Sequence, residues 1–391
     1  MASSEREYDI VLLGATGFTG ALTAAELAAR APLGMRWALA GRTRAKVEAV
    51  RDRVVAANPD GPAPDVLVAD TGDSGSLETL ARQTRVLTST VGPYALYGEP
   101  VVAACAAAGT HYLDLTGEPE FVDNMRLRHH DAAVASGARL IHCCGFDSIP
   151  HDLGVQFTVE QLPRDTPLRV RGYVRAGGSV SGGTLASALG AFARTRQTFA
   201  AQRARRALEG KPANVTIEEP GTPHRALGAW AVPLPTVDPA IVGRSARADA
   251  ALYGPDFRYG HYAAVRHLPI AVGGAAGLAG LVAVAQVGPA RRALLSRLPS
   301  GDGPSEERMA KNWFSVKFVG ATADGAHRVV TEVRGGDPGY RETSRMLAEA
   351  TLSTAFDEDL PACAGQVTTA QALGPALRAR LVKSGISFAK V

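Results

Sequence analysis

The sequence contains few cysteines. Cys105, Cys143, Cys144 and Cys363 are the four in 391 residues, and none belongs to a Cys-x-x-Cys motif. This pattern argues against a zinc site built on cysteine and against a disulfide framework, so we predict no metal site. Reduced thiols are typical of proteins in a reducing compartment, and we therefore expect a cytoplasmic location.

Charge of one sign is not in excess either. The chain has 42 basic and 38 acidic residues, a formal net charge of +4, and no basic stripe with interleaved aromatic residues. This balance argues against a nucleic-acid partner. With 46% hydrophobic residues the chain is globular rather than disordered. The start, MASSEREYD, lacks an apolar core, so no secretory signal is expected.

The strongest positive signal is the glycine motif in YDIVLLGATGFTG. An apolar strand, Ile10–Leu13, precedes Gly14, Gly17 and Gly20, and a helix-forming run, Ala21–Arg30, follows them. In a dinucleotide-binding βαβ unit such glycines allow a tight turn, close backbone approach to a pyrophosphate and close helix packing. The helix N-terminus then offers N–H groups to the phosphates. The alternative is a glycine-rich turn without a ligand.

The end of the second strand indicates which nucleotide binds. Met35–Ala40 is apolar, and no carboxylate follows it to hold a ribose 2′-hydroxyl. Arg42 follows instead, beside Thr43 and Arg44, and a guanidinium can grip a 2′-phosphate through two hydrogen bonds. We therefore predict NADP(H) as the cofactor. The alternative is that Arg42 and Arg44 are solvated loop charges.

Strands and helices alternate up to about residue 150, which predicts an α/β fold with a doubly wound parallel sheet of the Rossmann type. Ligands of such sheets bind at the carboxyl ends of the strands. The further strands are predicted at Asp65–Ala69, Val86–Val91, His111–Leu115 and Arg139–Cys143, and the further helices at Lys46–Ala57, Ser76–Gln83, Glu99–Ala108 and Phe121–Ser136. The residues expected to bind the cofactor are Gly14, Ala15, Thr16, Gly17, Phe18, Thr19, Gly20, Arg42, Thr43, Asp70, Thr71, Thr90, Val91, Gly92, Pro93 and Tyr94.

Beyond Pro150 the pattern changes to that of a second, mixed α+β domain. Leu168–Ala176 alternates like a half-exposed strand, and Trp313–Val319 with Arg328–Val333 is typical of a hairpin. The remaining predictions are a loop at Gly177–Gly183, a helix at Thr184–Arg194, an irregular segment at Pro212–Asp238, a helix at Thr343–Ala355 and a single tail helix at Thr368–Phe388.

The uncharged stretch Leu268–Ala290 is about as long as a bilayer crossing. It is rich in glycine and alanine, and Gln286 lies inside it. Three interpretations remain open: a buried or interface helix pair, a surface that contacts lipid at the inner face of the plasma membrane, and a true span. Arginines on both sides suit either anionic headgroups or plain solvation.

Several strings together carry a family resemblance: GATGFTG, AGR, VGPYALYGEPVVAACAAAGTHYLDLTGEPEF, CGFDSIPHDLG and TEVRGGDPGY. They resemble the saccharopine dehydrogenase-like oxidoreductases, and within them the trans-acting enoyl reductases of polyketide-lipid synthesis. The resemblance implies an NADP-binding Rossmann domain over residues 1–152, a substrate and partner domain over 153–336, and C-terminal helices over 337–391 that return to the first domain.

The resemblance also implies a substrate, an unsaturated acyl group held on a carrier protein or polyketide synthase. Two alternatives remain: an amino-acid oxidoreductase that reduces an imine, for which Arg169, Arg171 and Arg175 on one strand face would be relevant, and a non-catalytic NADP-binding scaffold at a lipid surface. A homodimer formed through the hairpin strands is a further option.

The candidate catalytic residues are Tyr94, Tyr97 and Asp147. None of the tyrosines has lysine four residues later, which argues against the Tyr-x-x-x-Lys route to ketone reduction. Tyr94 and Tyr97 follow the fourth strand, beside the expected nicotinamide position, and could donate a proton. Asp147 would need a raised pKa to act as an acid, and its other predicted role is to cap the next helix.

Overall fold

The computed structural model describes residues 6–177, 190, 193–210, 214–219, 221–295 and 303–391. Gly177, the first residue of the predicted loop at 177–183, belongs to a strand, and the rest of that loop and most of the predicted helix at 184–194 lie outside these residues. The strands of the described part are β1 (Tyr8–Leu13), β2 (Trp37–Gly41), β3 (Asp65–Val68), β4 (Thr84–Ser89), β5 (His111–Asp114), β6 (Arg139–Ile141), β7 (Leu168–Gly177), β8 (Val215–Ile217), β9 (His224–Ala226), β10 (Ala229–Pro233), β11 (Phe257–Val265), β12 (Trp313–Thr322), β13 (Arg328–Gly335), β14 (Gly365–Val367) and β15 (Ser387–Lys390).

The helices of the same residues are α1 (Phe18–Arg30), α2 (Arg44–Ala57), α3 (Ser74–Gln83), α4 (Tyr94–Tyr97), α5 (Glu99–Ala108), α6 (Pro119–Ser136), α7 (Ile149–Val159), α8 (Thr195–Glu209), α9 (Asp238–Ala248), α10 (Ala250–Tyr253), α11 (Leu268–Gln286), α12 (Gly288–Leu295), α13 (Glu306–Lys311), α14 (Arg341–Phe356), α15 (Thr369–Ala372) and α16 (Gly374–Lys383). The chain divides into two compact units, one formed by residues 1–146 and 340–384 and the other by 147–339 and 385–391.

The first unit is built on a parallel seven-stranded sheet in the order β14-β6-β5-β4-β1-β2-β3. All six residues of β1 are buried, because helices cover both faces of such a sheet. The predicted doubly wound α/β fold is confirmed. The seventh strand, β14, comes from the C-terminal segment and was not predicted, because three residues give no periodic signal.

The C-terminal part of the first unit is tied to its first helix by ion pairs. Arg30 on α1 contacts Glu349 on α14 at 3.0 Å, and Arg345 contacts Glu26 at 3.5 Å. Beneath them, the buried hydroxyls of Thr88 and Thr351 lie 2.8 Å apart. Helix α14 is therefore an integral part of the first unit rather than an appendage.

The second unit contains a mixed eight-stranded sheet in the order β15-β13-β12-β7-β11-β10-β9, with β8 beside β11. The predicted hairpin is confirmed, since β12 and β13 pair antiparallel around a turn at Gly325. Strand β7 runs antiparallel to β12 and parallel to β11, so it joins the two halves of the sheet. Helix α7 packs on this sheet, where Gly154 lies against Phe318.

Two predictions for this region are wrong. The segment 212–238 is not irregular: it contributes β8, β9 and β10, and a turn with positive φ at Leu227 and Gly228 joins the last two. The tail is not one helix, because Gly374 and Pro375 begin a new helix and Gly385 adopts a φ of 104°. Its last residues form β15 at the edge of the second unit's sheet instead of returning to the first unit.

The apolar stretch forms α11 and α12, which pack against each other. Ala285 is buried, whereas Ile270 and Val272 are 62% and 59% exposed. Among the helices of the described residues, none combines the length and the apolarity that a bilayer crossing needs. A fully buried helix pair therefore does not describe this segment, and lipid contact stays a prediction.

Candidate nucleotide-binding site

A pocket lies at the carboxyl ends of the central strands of the first unit. Its walls come from the residues that follow β1, β2, β3 and β4: Leu13, Gly14, Thr16, Gly17, Gly41, Arg42, Ala69, Thr71, Thr90, Val91, Gly92 and Tyr97. Eight of the residues predicted to bind the cofactor are among them, Gly14, Thr16, Gly17, Arg42, Thr71, Thr90, Val91 and Gly92. Ala15, Phe18, Thr19, Gly20, Thr43, Asp70, Pro93 and Tyr94 are their neighbours in the chain.

The three glycines differ in what the protein itself requires of them. Gly14 has a φ of +89°, and an added Cβ would lie 2.8 Å from both Thr90 Oγ1 and Val91 Cγ2. A Cβ on Gly20 would collide with the carbonyl of Gly14. At Gly17 the nearest atom would be the Gly14 oxygen, at an ordinary 3.5 Å. The fold therefore needs glycine at 14 and 20, whereas a ligand is the better explanation for Gly17.

Arg42 lies at the end of β2 with its side chain in solvent. Its guanidinium makes no hydrogen bond or ion pair with any residue that the structure describes. Arg44, two residues later, lies 3.9 Å from Glu48 on the first turns of α2. The Asp70 carboxylate accepts the Gly72 N–H at 3.0 Å and shapes its own loop. Arg42 is thus the cation of this loop that is available to an anionic ligand.

The loop after β4 forms the other side of the pocket. The Thr90 hydroxyl donates to the Gly14 oxygen at 3.1 Å, which ties this loop to the glycine motif. Tyr97 is 47% exposed and lines the pocket. The Tyr94 hydroxyl is buried and donates to the Ser89 oxygen at 3.0 Å. Burial, reinforced by Asp114, raises the pKa of Tyr94 well above its usual value. Of the two predicted proton donors, Tyr97 is the better placed.

A half-buried carboxylate fixes the start of α4. Glu118 accepts the N–H groups of Tyr94 and Ala95, each at 2.9 Å. Burial raises the pKa of Glu118, although these two hydrogen bonds oppose the shift. Behind it, Asp114 accepts the N–H groups of Thr116 and Cys143 and lies 2.6 Å from His142 Nδ1. Both carboxylates therefore position the loops around the pocket.

Asp147 is the first residue of the second unit. Burial and the negative charge of Asp238 raise its pKa to about 6, and His151 opposes the shift. Its side chain is partly open to solvent, and the negative charge of Asp238 acts in the same direction as burial. Ser148 is the residue before α7, so Asp147 does not have the predicted capping position. Its role as an acid stays a prediction.

A cluster that no sequence pattern predicts lies within the second unit and is formed by His151, Asp238 and His261. All three side chains are about 2% exposed. Burial would raise the pKa of Asp238, but the two histidines lower it below its usual range. Burial lowers the pKa of His261 to about 4. The cluster draws on α7, the start of α9 and the middle of β11, so no local spacing reveals it.

Comparison with known proteins identifies the relatives of this chain. Residues 10–141 match the saccharopine dehydrogenase NADP binding domain. A Mycobacterium tuberculosis protein provisionally named a trans-acting enoyl reductase is 37% identical over 99% of this chain and 98% of the relative. Proteins named trans-acting enoyl reductase from Mycobacterium leprae and Mycobacterium ulcerans are 34% and 33% identical, again over 99% of this chain and 98% of the relative. This chain belongs to the saccharopine dehydrogenase-like oxidoreductases, in the trans-acting enoyl reductase group.

A solved structure supports the fold of this oxidoreductase. Apo saccharopine dehydrogenase (L-Glu forming) from Saccharomyces cerevisiae superposes on this chain with a TM-score of 0.54. The superposition covers 98% of this chain and 99% of the dehydrogenase. The identity is 12%, so the likeness concerns the fold alone. It confirms an α/β architecture with a second, mixed domain.

The cofactor of this oxidoreductase is NADP(H), and the pocket residues fit it. Gly17 leaves the N-terminus of α1 open to a pyrophosphate. The exposed guanidinium of Arg42 suits the 2′-phosphate that distinguishes NADP from NAD. The predictions of the family, the fold class and the cofactor are therefore confirmed. The individual contacts of the sixteen predicted binding residues stay predictions.

Proposed function

We propose that this NADP-dependent oxidoreductase reduces the α,β-double bond of an enoyl thioester carried by a separate protein, such as a polyketide synthase. The proposal is supported by relatives named trans-acting enoyl reductase that match the chain over nearly its whole length. A match of this extent includes the second unit as well as the nucleotide-binding unit. The substrate-handling part of the relatives is therefore also represented in this chain.

The reaction needs a hydride at the β-carbon, a proton at the α-carbon and a hydrogen-bond donor for the thioester oxygen. Bound NADPH supplies the hydride. In our proposal Arg42 and the N-terminus of α1 hold the phosphates, and Gly92 allows close approach at the end of β4. Tyr97 presents a hydroxyl at the same edge of the sheet and serves as the proton or hydrogen-bond donor.

Two of the three arginines of β7, Arg171 and Arg175, argue against an amino-acid substrate with several carboxylates. Such a substrate would need cations that converge on a small polar site. Arg171 instead forms a two-point ion pair with Glu218, with Nε–Oε2 and Nη2–Oε1 distances of 3.0 Å. Arg175 lies over the ring of Trp313, 5.7 Å from its centroid. Both arginines already have partners, so they are poorly suited to receive substrate carboxylates.

The proposed recognition of NADPH depends on the exposed guanidinium of Arg42, which can be tested directly. NADPH and NADH binding should be titrated with the wild type, Arg42→Ala and Arg44→Ala. Arg42→Ala should bind NADPH about 10- to 100-fold more weakly than the wild type, because it loses a pair of charge-assisted hydrogen bonds. NADH binding should hardly change. Arg44→Ala is the matched control, because Arg44 already pairs with Glu48 in the same loop.

Turnover should then be measured with a panel of trans-2-enoyl thioesters of pantetheine, with the saturated thioesters as blanks. We expect NADPH oxidation and a saturated product that carries deuterium at the β-carbon when deuterated NADPH is used. Tight NADPH binding without enoyl reduction would refute the enoyl reductase proposal. Oxidation with imines of keto acids would favour the amino-acid alternative, and no turnover with either would favour a scaffold.

A further inference from the structure

The cluster of His151, Asp238 and His261 places three metal-binding side chains in the interior of the second unit. His151 Nδ1 lies 3.1 Å from Asp238 Oδ1, and His261 Nε2 lies 3.5 Å from Asp238 Oδ2. The ligand atoms of all three residues lie within 4.8 Å of one another. The two imidazole rings meet edge to face, with centroids 5.0 Å apart.

Two polar atoms of the cluster lack hydrogen bonds although they are buried. Within the described residues, Asp238 Oδ1 and His261 Nε2 have no hydrogen-bond partner. The Thr236 hydroxyl donates a 2.5 Å hydrogen bond to Asp238 Oδ2, and the imidazole of His151 also interacts with this carboxylate. A buried carboxylate needs a compensating positive charge, from a protonated histidine or from a bound cation. A bound cation at the centre of the cluster would provide it.

His261 and Asp238 also have partners outside the cluster that hold their side chains in place. His261 Nδ1 lies 2.9 Å from the Tyr259 hydroxyl, two residues away on the same face of β11. The Thr236 hydroxyl fixes Asp238 in the same way. Metal-binding histidines in proteins commonly have their second ring nitrogen bonded to an outer partner that sets the ring orientation. The cluster has this arrangement.

We propose that His151, Asp238 and His261 bind a divalent transition-metal ion of the zinc type, with a fourth position open to water. With metal–ligand bonds of about 2.1 Å in a tetrahedron, neighbouring ligand atoms lie roughly 3.4 Å apart. The separations of 3.1 and 3.5 Å, which involve the two different oxygens of Asp238, are close to this value, and the ligand atoms of all three residues, which lie within 4.8 Å of one another, would draw together around the ion. Two histidines with one carboxylate form a donor set that suits zinc, iron(II) or cobalt(II) rather than calcium or magnesium.

The first test uses the full-length wild-type protein and needs no variant. The protein is treated with a chelator, incubated with Co²⁺ and separated from free ion by gel filtration. We expect one equivalent of bound Co²⁺ and the visible absorption bands of a four- or five-coordinate site. Zn²⁺ should displace the cobalt, and at 100-fold excess over its dissociation constant it should raise the melting temperature by about 5–10 °C. No retained cobalt would overturn the proposal.

Variants then assign the site to these residues. Asp238→Asn is nearly isosteric and should weaken Co²⁺ binding by at least about 100-fold, since it removes a ligand rather than an outer partner. Tyr259→Phe leaves the ligands in place and should weaken binding by about 10- to 100-fold. It serves as the second variant if Asp238→Asn does not fold. Unchanged cobalt binding in a folded Asp238→Asn protein would overturn the proposal.

His142→Gln is the matched control. His142 is equally buried and lies 2.6 Å from Asp114, but it belongs to the first unit and not to the cluster. Its substitution should leave the cobalt stoichiometry and spectrum unchanged in folded protein. If this variant loses the cobalt site as Asp238→Asn does, the signal does not come from the cluster and the assignment is refuted.

Discussion

Replacing Gly17 with alanine should weaken NADPH binding without unfolding the protein, whereas the same change at Gly20 should destabilise the fold. A Cβ at Gly17 would meet one oxygen at 3.5 Å, which is ordinary contact. Alanine is a poorer residue than glycine before a helix, by up to about 1 kcal/mol. It also restricts the unfolded chain, which stabilises by about 0.4–1 kcal/mol. The free energy of unfolding should therefore change by less than about 1 kcal/mol.

The effect of Gly17→Ala on the cofactor should be larger. The methyl group would stand at the open N-terminus of α1, where N–H groups approach the phosphates most closely. Losing one charge-assisted hydrogen bond costs about 1.5–3 kcal/mol, so NADPH should bind about 10- to 100-fold more weakly. Fluorescence titration of NADPH measures this directly.

Gly20→Ala gives the opposite pattern. The Cβ would lie 2.8 Å from Thr90 Oγ1 and would press on the Gly14 backbone, which cannot move aside like a flexible side chain. Overpacking of this kind costs about 1–3 kcal/mol, and a backbone obstacle places the expected loss near 3 kcal/mol. For a unit of this size the melting temperature should fall by roughly 6–12 °C. Wild-type NADPH affinity in Gly17→Ala, or wild-type stability in Gly20→Ala, would refute this reasoning.

Three further predictions concern other parts of the molecule. If the Tyr97 hydroxyl is the donor, Tyr97→Phe should reduce turnover of an accepted enoyl thioester by about 100-fold or more, as measured by steady-state kinetics. Tyr94→Phe should retain turnover but lower the free energy of unfolding in urea by about 1 kcal/mol, because the Tyr94 hydroxyl donates to the Ser89 carbonyl. Burial, with nearby arginines, lowers the pKa of His111 from 6.5 to about 4. Protonation therefore favours the unfolded state, and the free energy of unfolding should fall by about 3 kcal/mol as the pH drops from 6.5 to about 4. His111→Asn should not show this pH-dependent loss in urea unfolding. Phe318→Ala, which empties a fully buried position, should cost about 3–5 kcal/mol in the same assay.

The first unit was largely predictable from the sequence because its signals are local. Its strands are short apolar runs, two of which end at Gly41 and Asp114, and two of the helices between them are terminated by a left-handed glycine, Gly109 or Gly137. Helix Glu99–Ala108 has the predicted bounds, and Gly109 adopts the left-handed conformation expected after it, with a φ of 73°. The other predicted bounds differ from the observed ones by a few residues at most, since helix and strand ends depend on caps and pairing.

The second unit was predicted less well because its short strands exist only through pairing. Strand β8 has three residues and is held by β11, from which it is separated by about forty residues of chain. Strand β9 also has three residues and depends on β10. A segment of this length shows neither the alternation of a strand nor the period of a helix. Proline residues nearby favoured the wrong interpretation of an irregular segment.

The same distinction separates the two candidate sites. A dinucleotide phosphate is bound by one turn and one helix end, so the residues that bind it are neighbours in the chain and Gly14, Gly17 and Gly20 can be read together. The cluster around Asp238 is assembled from two helices and a strand, and each member looks ordinary in its own segment. Asp238 precedes a proline at a helix start, where an acidic residue is common without any ligand. Only the structure shows that this carboxylate is buried between two histidines, a grouping on which the cysteine spacing, from which no metal site was predicted, carries no information.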